Sequence, residues 1–216
     1  MKTYIFKFTL FTSIILSVAA QAAPPSAELK VKGKLGVPSC TVIAPDGGIY
    51  DLGKISATNV KSGAVVTTLT PITKNWSVAC DAQTYLSFNT VDNRNSSVSD
   101  TSSGNNHGLG FINDTGKIGY YTLVMSNPMV DGVQTSVFSV STSGVVGTGS
   151  QSLTLATTGP HRAWSIAGTN TQIAGKVFSA DFKVTPTLAG TTAMNGPITE
   201  DATIDGSVTM NFSFGI

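Results

Sequence analysis

The 216-residue chain carries 13 lysines and arginines against 12 aspartates and glutamates, a formal net charge of only +1. That balance leaves no electrostatic footprint for nucleic acid or an anionic membrane surface. Charged residues make up 12% of the chain, about half the usual quarter. Gly, Ser, Thr and Asn fill the gap, which suits an exported all-β protein better than a cytosolic enzyme.

The chain opens with Lys2 and Lys7 ahead of a largely apolar run from Phe8 to Ala20. Ala20-Gln21-Ala22 then supplies the small residues a signal peptidase needs, so residues 1–22 read as a secretory signal cut between Ala22 and Ala23. The apolar run is short for a membrane span. Loss of Lys2 and Lys7 leaves the remainder with one excess acid. Residues 23–216 fit one domain and are long enough to bury a real core.

The next stretch, "AELKVKGKL", alternates. Ala27, Leu29, Val31, Gly33 and Leu35 share one face, and Glu28, Lys30, Lys32 and Lys34 share the other. It has the pattern of a half-buried strand, yet it lies close to the expected mature terminus, where chains ordinarily fray. Either it completes its own sheet or it completes a neighbour's.

Cys40 and Cys80 are the only cysteines. In an exported chain they are expected to pair. Closing a loop of about 40 residues stabilises a fold by roughly 3–4 kcal/mol on the chain-entropy model. No histidine lies near either cysteine, which argues against a metal site.

Period-two patterns bounded by turn residues then predict strands at "CTVIA" (40–44), "GIYDLG" (48–53), "AVVTTLT" (64–70), "NWSVAC" (75–80) and "TYLSFNTV" (84–91). The polar segment 92–108 has no apolar face and reads as a long surface loop. Strands resume at "KIGYYTLVMS" (117–126), "QTSVFSVS" (134–141), "SLTLAT" (152–157) and "KVFSADFKVTPTL" (176–188). In the last of these Phe178, Ala180, Phe182 and Val184 oppose Ser179, Asp181 and Lys183. Near the end Val208, Met210, Phe212 and Phe214 again line one face. Many short strands without helices argue for an antiparallel β-sandwich in a single domain.

Candidate chemistry is sparse. His107 and His161 offer no companion nucleophile and acid that the sequence brings together. The glycine pairs in "GLGFINDTGKIG" and "GVVGTGS" open no helix after a strand, so the phosphate-cradle reading fails its context. Asn75, Asn95, Asn113 and Asn211 begin N-x-S/T triplets, expected by chance in so Asn-, Ser- and Thr-rich a chain. Trp76 and Trp164 are expected in or near the core. No catalytic, cofactor-binding or metal-ligating residue is assigned, and no cofactor is expected.

The residues "LKVKGKLGVPSCTV", "YDLGKI" and "NWSVAC" together resemble the N-terminal half of chaperone–usher fimbrial subunits. Those share an alternating extension, a Gly shortly before the first Cys, a "DLG" strand, and a second Cys some forty residues on. "DNRNSSV", "GLGF…GKIGYY" and "TGPHRAW" look like a fimbrial-like family of exported proteins of unknown function. The resemblance is close over residues 27–95 and looser over 176–216, and the segment between is longer than in a minimal pilin. The chain departs from the pattern at its end. Phe214 is third from last, before Gly215 and Ile216, where such subunits commonly have a penultimate aromatic. Thr203 stands where many have Gly, and Gly206 is the nearest glycine.

The resemblance implies an immunoglobulin-like sandwich, residues 37–216, that lacks its final strand, preceded by a donor-strand extension over 23–36. Ala27, Leu29, Val31, Gly33 and Leu35 would be the donated strand. Val208, Met210, Phe212 and Phe214 would flank the vacant groove and meet a periplasmic chaperone. An outer-membrane usher and other fimbrial subunits, in a homo- or hetero-polymer, complete the expected partners, with a host glycan or surface receptor beyond them. The expected role is a structural fimbrial subunit, exported through the periplasm to the surface of a Gram-negative bacterium and contributing to adhesion. The alternatives are a minor adhesin or carbohydrate-binding module, or a self-contained periplasmic protein.

Overall fold

The structure is a computed structural model that describes residues 24–215. The expected signal segment and the Ala22/Ala23 cleavage point lie outside the described residues. The chain divides into two units, one ending at Gly36 and the other beginning at Val37. In the first, residues 24–36 belong to no strand. Leu29 and Val31 are 86% and 90% exposed, and Leu35 is fully exposed. Its one ion pair among the described residues joins Lys30 to Glu28 at 3.0 Å.

The second unit is built of strands. In chain order these are β1 (Cys40–Ile43), β2 (Thr67–Thr68), β3 (Ile72–Thr84), β4 (Leu86–Asp92), β5 (Asn106–Gly108), β6 (Phe111–Ile112) and β7 (Gly116–Lys117). There follow β8 (Gly119–Val130), β9 (Val133–Gln134), β10 (Ser136–Val140), β11 (Ser152–Thr154), β12 (His161–Ser165), β13 (Gly175–Leu188) and β14 (Val208–Phe214). Short 3-10 turns occur, but among the described residues there is no α-helix. The larger sheet runs β1-β3-β13-β8-β11, with β2 added to β13 and β5 and β9 added to β8. The smaller runs β10-β12-β4-β14, and β6 pairs with β7 as a separate ribbon. Every strand pairing is antiparallel.

β13 shows why the sequence folds this way. Phe178, Ala180, Phe182 and Val184 are buried on one face, and alternation turns Ser179, Asp181 and Lys183 to the other. On that outer face the Asp181 carboxylate accepts hydrogen bonds from Asn75 on β3 and Asn127 on β8, at 2.8 and 2.7 Å. Pro186 sits within β13, where its partner changes from β3 to β2 and a ladder N–H is not needed. The core lies between the sheets. Phe88 of β4 packs edge-on against Phe182 of β13, with ring centres 6.1 Å apart, and against Trp164 of β12 at 5.8 Å. Trp164 also meets Phe178 at 5.4 Å. Cys40 and Cys80 are register partners on β1 and β3 and form the expected disulfide.

The all-β antiparallel sandwich is thus as the sequence reads, while some segments differ. Residues 48–53 form no strand. Asp46 and Gly47 take left-handed conformations in a turn (φ 50° and 63°), and the chain beyond runs without a ladder partner. It is held by the Tyr50 side chain, whose hydroxyl donates to Phe182 O and accepts from Trp76 Nε1, both at 3.1 Å, and by Lys74 Nζ, which donates to Ile49 O at 2.5 Å. Of residues 64–70, only Thr67 and Thr68 form a strand, extended by Leu69 N donating to Pro186 O at 2.9 Å. The segment 92–108 is no surface loop throughout, because its polar side chains serve buried backbone. Asp92 Oδ2 accepts from Gly108 N at 2.9 Å, and Ser97 Oγ accepts from Gly110 N at 2.9 Å. Ser97, Val98, Asn106 and His107 are consequently buried. β12 is a strand that the apolar pattern missed, since Arg162, only 3% exposed, occupies one of its inward positions beside Trp164.

Candidate functional site

β14 is the outermost strand of the smaller sheet, and among the described residues it pairs only with β4. Two bonds fix which of its backbone groups are satisfied. Asn93 N donates to Ser207 O, and Gly215 N donates to Tyr85 O, both at 2.9 Å. An antiparallel ladder alternates between bonded and non-bonded pairs. Between those anchors, Thr209, Asn211 and Ser213 therefore bond to β4. Val208, Met210, Phe212 and Phe214 direct their N–H and C=O groups away from the sheet, towards its open edge. The side chains of Val208, Met210 and Phe212 are half-buried and packed on the core, whereas Thr209, Asn211 and Ser213 are exposed. One set of residues thus offers an apolar face inward and unpaired backbone sideways.

An open groove of about 1010 Å³ adjoins this strand. Its floor is the inner face of the larger sheet: Phe182, Val184 and Leu188 of β13, with Tyr121 and Leu123 of β8. Val208 and Met210 form one wall together with Ile198, Ile204 and Gly206 of the segment before β14. Across from them stand Tyr50, Leu52, Ile55 and Val60 from the unladdered stretch after the first turn. Neither flanking segment belongs to a strand. The sandwich is therefore open here, its interior apolar surface reachable and a strand edge unpaired beside it.

The polar groups near the groove are held in fixed states. Burial pushes the Tyr50 phenol up to about 12, partly offset by the Trp76 N–H, so it stays a protonated donor. Burial raises Tyr121 as well, with the Asp92 carboxylate adding to the shift. His107 stacks on Tyr121 at 5.1 Å between ring centres, and its Nδ1 lies 3.1 Å from Asn105 O. Burial lowers its pKa, opposed in part by the charge of Asp92. Among the described residues no cluster of three or more His, Cys, Asp or Glu is arranged as a metal site. What the arrangement offers is a surface for an extended apolar segment.

Of the residues the sequence singled out, Val208 and Met210 line the groove. Phe212 packs deeper, 5.6 Å from Phe88 between ring centres, and Phe214 is 48% exposed beyond it. Ala27, Leu29, Val31, Gly33 and Leu35 lie in the first unit, exposed and outside any strand. Trp164 is buried in the core, and Trp76 is half-buried and reaches the groove. Sequence reasoning missed the far wall (Tyr50, Ile55, Val60) and Ile198 and Ile204. Tyr50 was read into a strand over 48–53 that does not form, and Ile55, Val60, Ile198 and Ile204 are isolated apolar residues in irregular segments, which carry no periodic signal.

A family model described as "Protein of unknown function (DUF1120)" matches residues 29–118. The match takes in the alternating segment from Leu29 on, both cysteines and the far wall of the groove. No curated protein matches the chain.

Proposed function

We propose that the chain is a structural subunit of a surface fimbrium, assembled when its groove takes up a β-strand from another polypeptide. The observation that carries this reading is the conjunction at β14. Its open edge leaves the backbone of Val208, Met210, Phe212 and Phe214 unpaired beside an apolar groove. The same chain carries an alternating segment whose Leu29, Val31 and Leu35 are exposed. Adding a strand to a sheet edge satisfies the backbone, while pockets for alternate side chains give selectivity.

In this reading a periplasmic chaperone fills the groove first. At an outer-membrane usher, residues 27–35 of the next subunit take its place, and the product reaches the surface of a Gram-negative cell. Burying Leu29, Val31 and Leu35 would contribute roughly 1.5–3 kcal/mol each. Each backbone hydrogen bond adds about 1 kcal/mol net. Together these rival the whole stability of a typical domain, about 5–15 kcal/mol. An unfilled groove would leave the subunit marginal and its edge a site of aggregation. Gly33 would fit a narrow part of the neighbour's groove, where a side chain has no room.

The test is deletion of residues 23–35 behind an intact signal, followed by electron microscopy of the cell surface. The truncated subunit is expected to remain bound by its chaperone and to form no rods. Rods of ordinary length from the truncated chain would overturn the proposal.

A further inference from the structure

We propose that the groove selects its own kind, its donor being residues 27–35 of a second copy of this chain, chosen by charge at the groove's rim. The inference rests on the strand-acceptor reading above and adds what selects the accepted strand, namely charge at the groove's rim. The charged residues lining the groove are Asp51, Glu200 and Asp201, with Lys54 as the one base among the described residues, and all four are exposed. The ion pairs among the described residues are Lys30–Glu28, Lys74–Asp46 and Arg94–Asp205, so none of the three rim acids is neutralised by a neighbour. Asp51 accepts only the Gly53 N–H, at 2.8 Å. An apolar groove whose rim holds three unpaired acids against one base disfavours a strand whose outer face is acidic and favours one whose outer face is basic.

Residues 27–35 have that outer face. When Leu29, Val31 and Leu35 turn into a groove, alternation sends Glu28, Lys30, Lys32 and Lys34 outward, the lysines about 6.8 Å apart along the strand. Lys30 pairs with Glu28 at 3.0 Å, and the face keeps a net positive charge through Lys32 and Lys34. A lysine ammonium rides on a flexible four-carbon stem, so each can reach an acid on either wall. The division of labour follows from magnitudes. Apolar side chains and backbone bonds supply the affinity, while exposed ion pairs contribute only about 0.2–1 kcal/mol each. Complementary charge instead rejects wrong partners and fixes register. The chain thus carries both halves of a self-recognising joint, and its polymer is made of like subunits.

The experiment uses the full mature chain and fluorescent peptides spanning residues 24–36, with binding read by anisotropy under excess peptide. One peptide is native, one carries Lys30→Glu, Lys32→Glu and Lys34→Glu, and one carries Leu29→Ser, Val31→Ser and Leu35→Ser. The native peptide is expected to bind about tenfold more tightly than the charge-reversed one at low salt, as three exposed pairs imply. The gap should close near 1 M salt, where screening acts within about 3 Å. A chain with Asp51→Lys, Glu200→Lys and Asp201→Lys, checked for folding by circular dichroism, should prefer the charge-reversed peptide. Equal binding of native and charge-reversed peptides, with the serine peptide failing, would overturn charge selection and leave the strand-acceptor reading standing. If no peptide binds, or the serine peptide binds as well as the native one, the strand-acceptor reading itself falls.

Discussion

Proline placed at two adjacent positions of β14 should have opposite consequences. The Met210 N–H points to the open edge, so Met210→Pro removes no hydrogen bond within the subunit, and edge strands accommodate proline in such positions. The half-buried Met210 side chain is lost in part, at a cost of about 1 kcal/mol. Asn211 instead forms a bonded pair with Asn89, reinforced by a side-chain bond from Asn211 Nδ2 to Asn89 Oδ1 at 3.2 Å. Asn211→Pro deletes the ladder bond, worth about 1 kcal/mol, and strands the Asn89 carbonyl at a further 1–3 kcal/mol or so. With the ring's own clash the total reaches about 3 kcal/mol or more. Urea melts of both variants give the comparison, and anisotropy with the native 24–36 peptide gives the function. Met210→Pro should melt near the parent yet bind peptide at least tenfold or so more weakly, having lost one bond and gained an obstruction. A melt in which Asn211→Pro is the milder change would show that the alternation along β14 is inverted, and the free backbone would belong to other residues.

Three further outcomes follow from the core and its neighbours. Phe88→Ala should cost about 3–5 kcal/mol in chemical denaturation, because Phe88 is fully buried where rings from both sheets meet. Replacing Cys40 and Cys80 together by serine should cost roughly 3–4 kcal/mol, read as a lower urea midpoint that no longer responds to reductant. His107 is held neutral by burial, so its stabilising contribution is full above the ordinary histidine value of 6.5 and declines as pH falls below it, where the unfolded chain takes up the proton first. The slope can reach about 1.4 kcal/mol per pH unit. Thermal melts between neutral pH and pH ~5 should lose that slope in His107→Phe, which keeps the stack on Tyr121.

How much of this was legible in the sequence depended on periodicity. β13 and β14 were plain because aromatic and aliphatic residues alternate with polar ones over many positions, and the tertiary fold honours that pattern. β12 was hidden because a buried arginine stands where an apolar residue would mark the strand. The 92–108 segment misled because Asp92, Ser97 and Asn106 spend their polarity on backbone groups instead of water. Half of the groove was legible, through Val208 and Met210 on a regular strand. The other half was not: the alternation around Tyr50 suggested a strand that the fold does not form, and Ile55, Val60 and Ile204 are brought in from segments with no repeat of their own.

Residue-resolved amide hydrogen exchange across β14, before and after addition of the 24–36 peptide, addresses the free edge directly. Without peptide, the amides of Thr209, Asn211 and Ser213 should be protected and those of Val208, Met210, Phe212 and Phe214 should exchange freely. With peptide, the exposed set should gain protection while the others change little. Uniform protection from the outset, or an exposed set that ignores the peptide, would contradict the account.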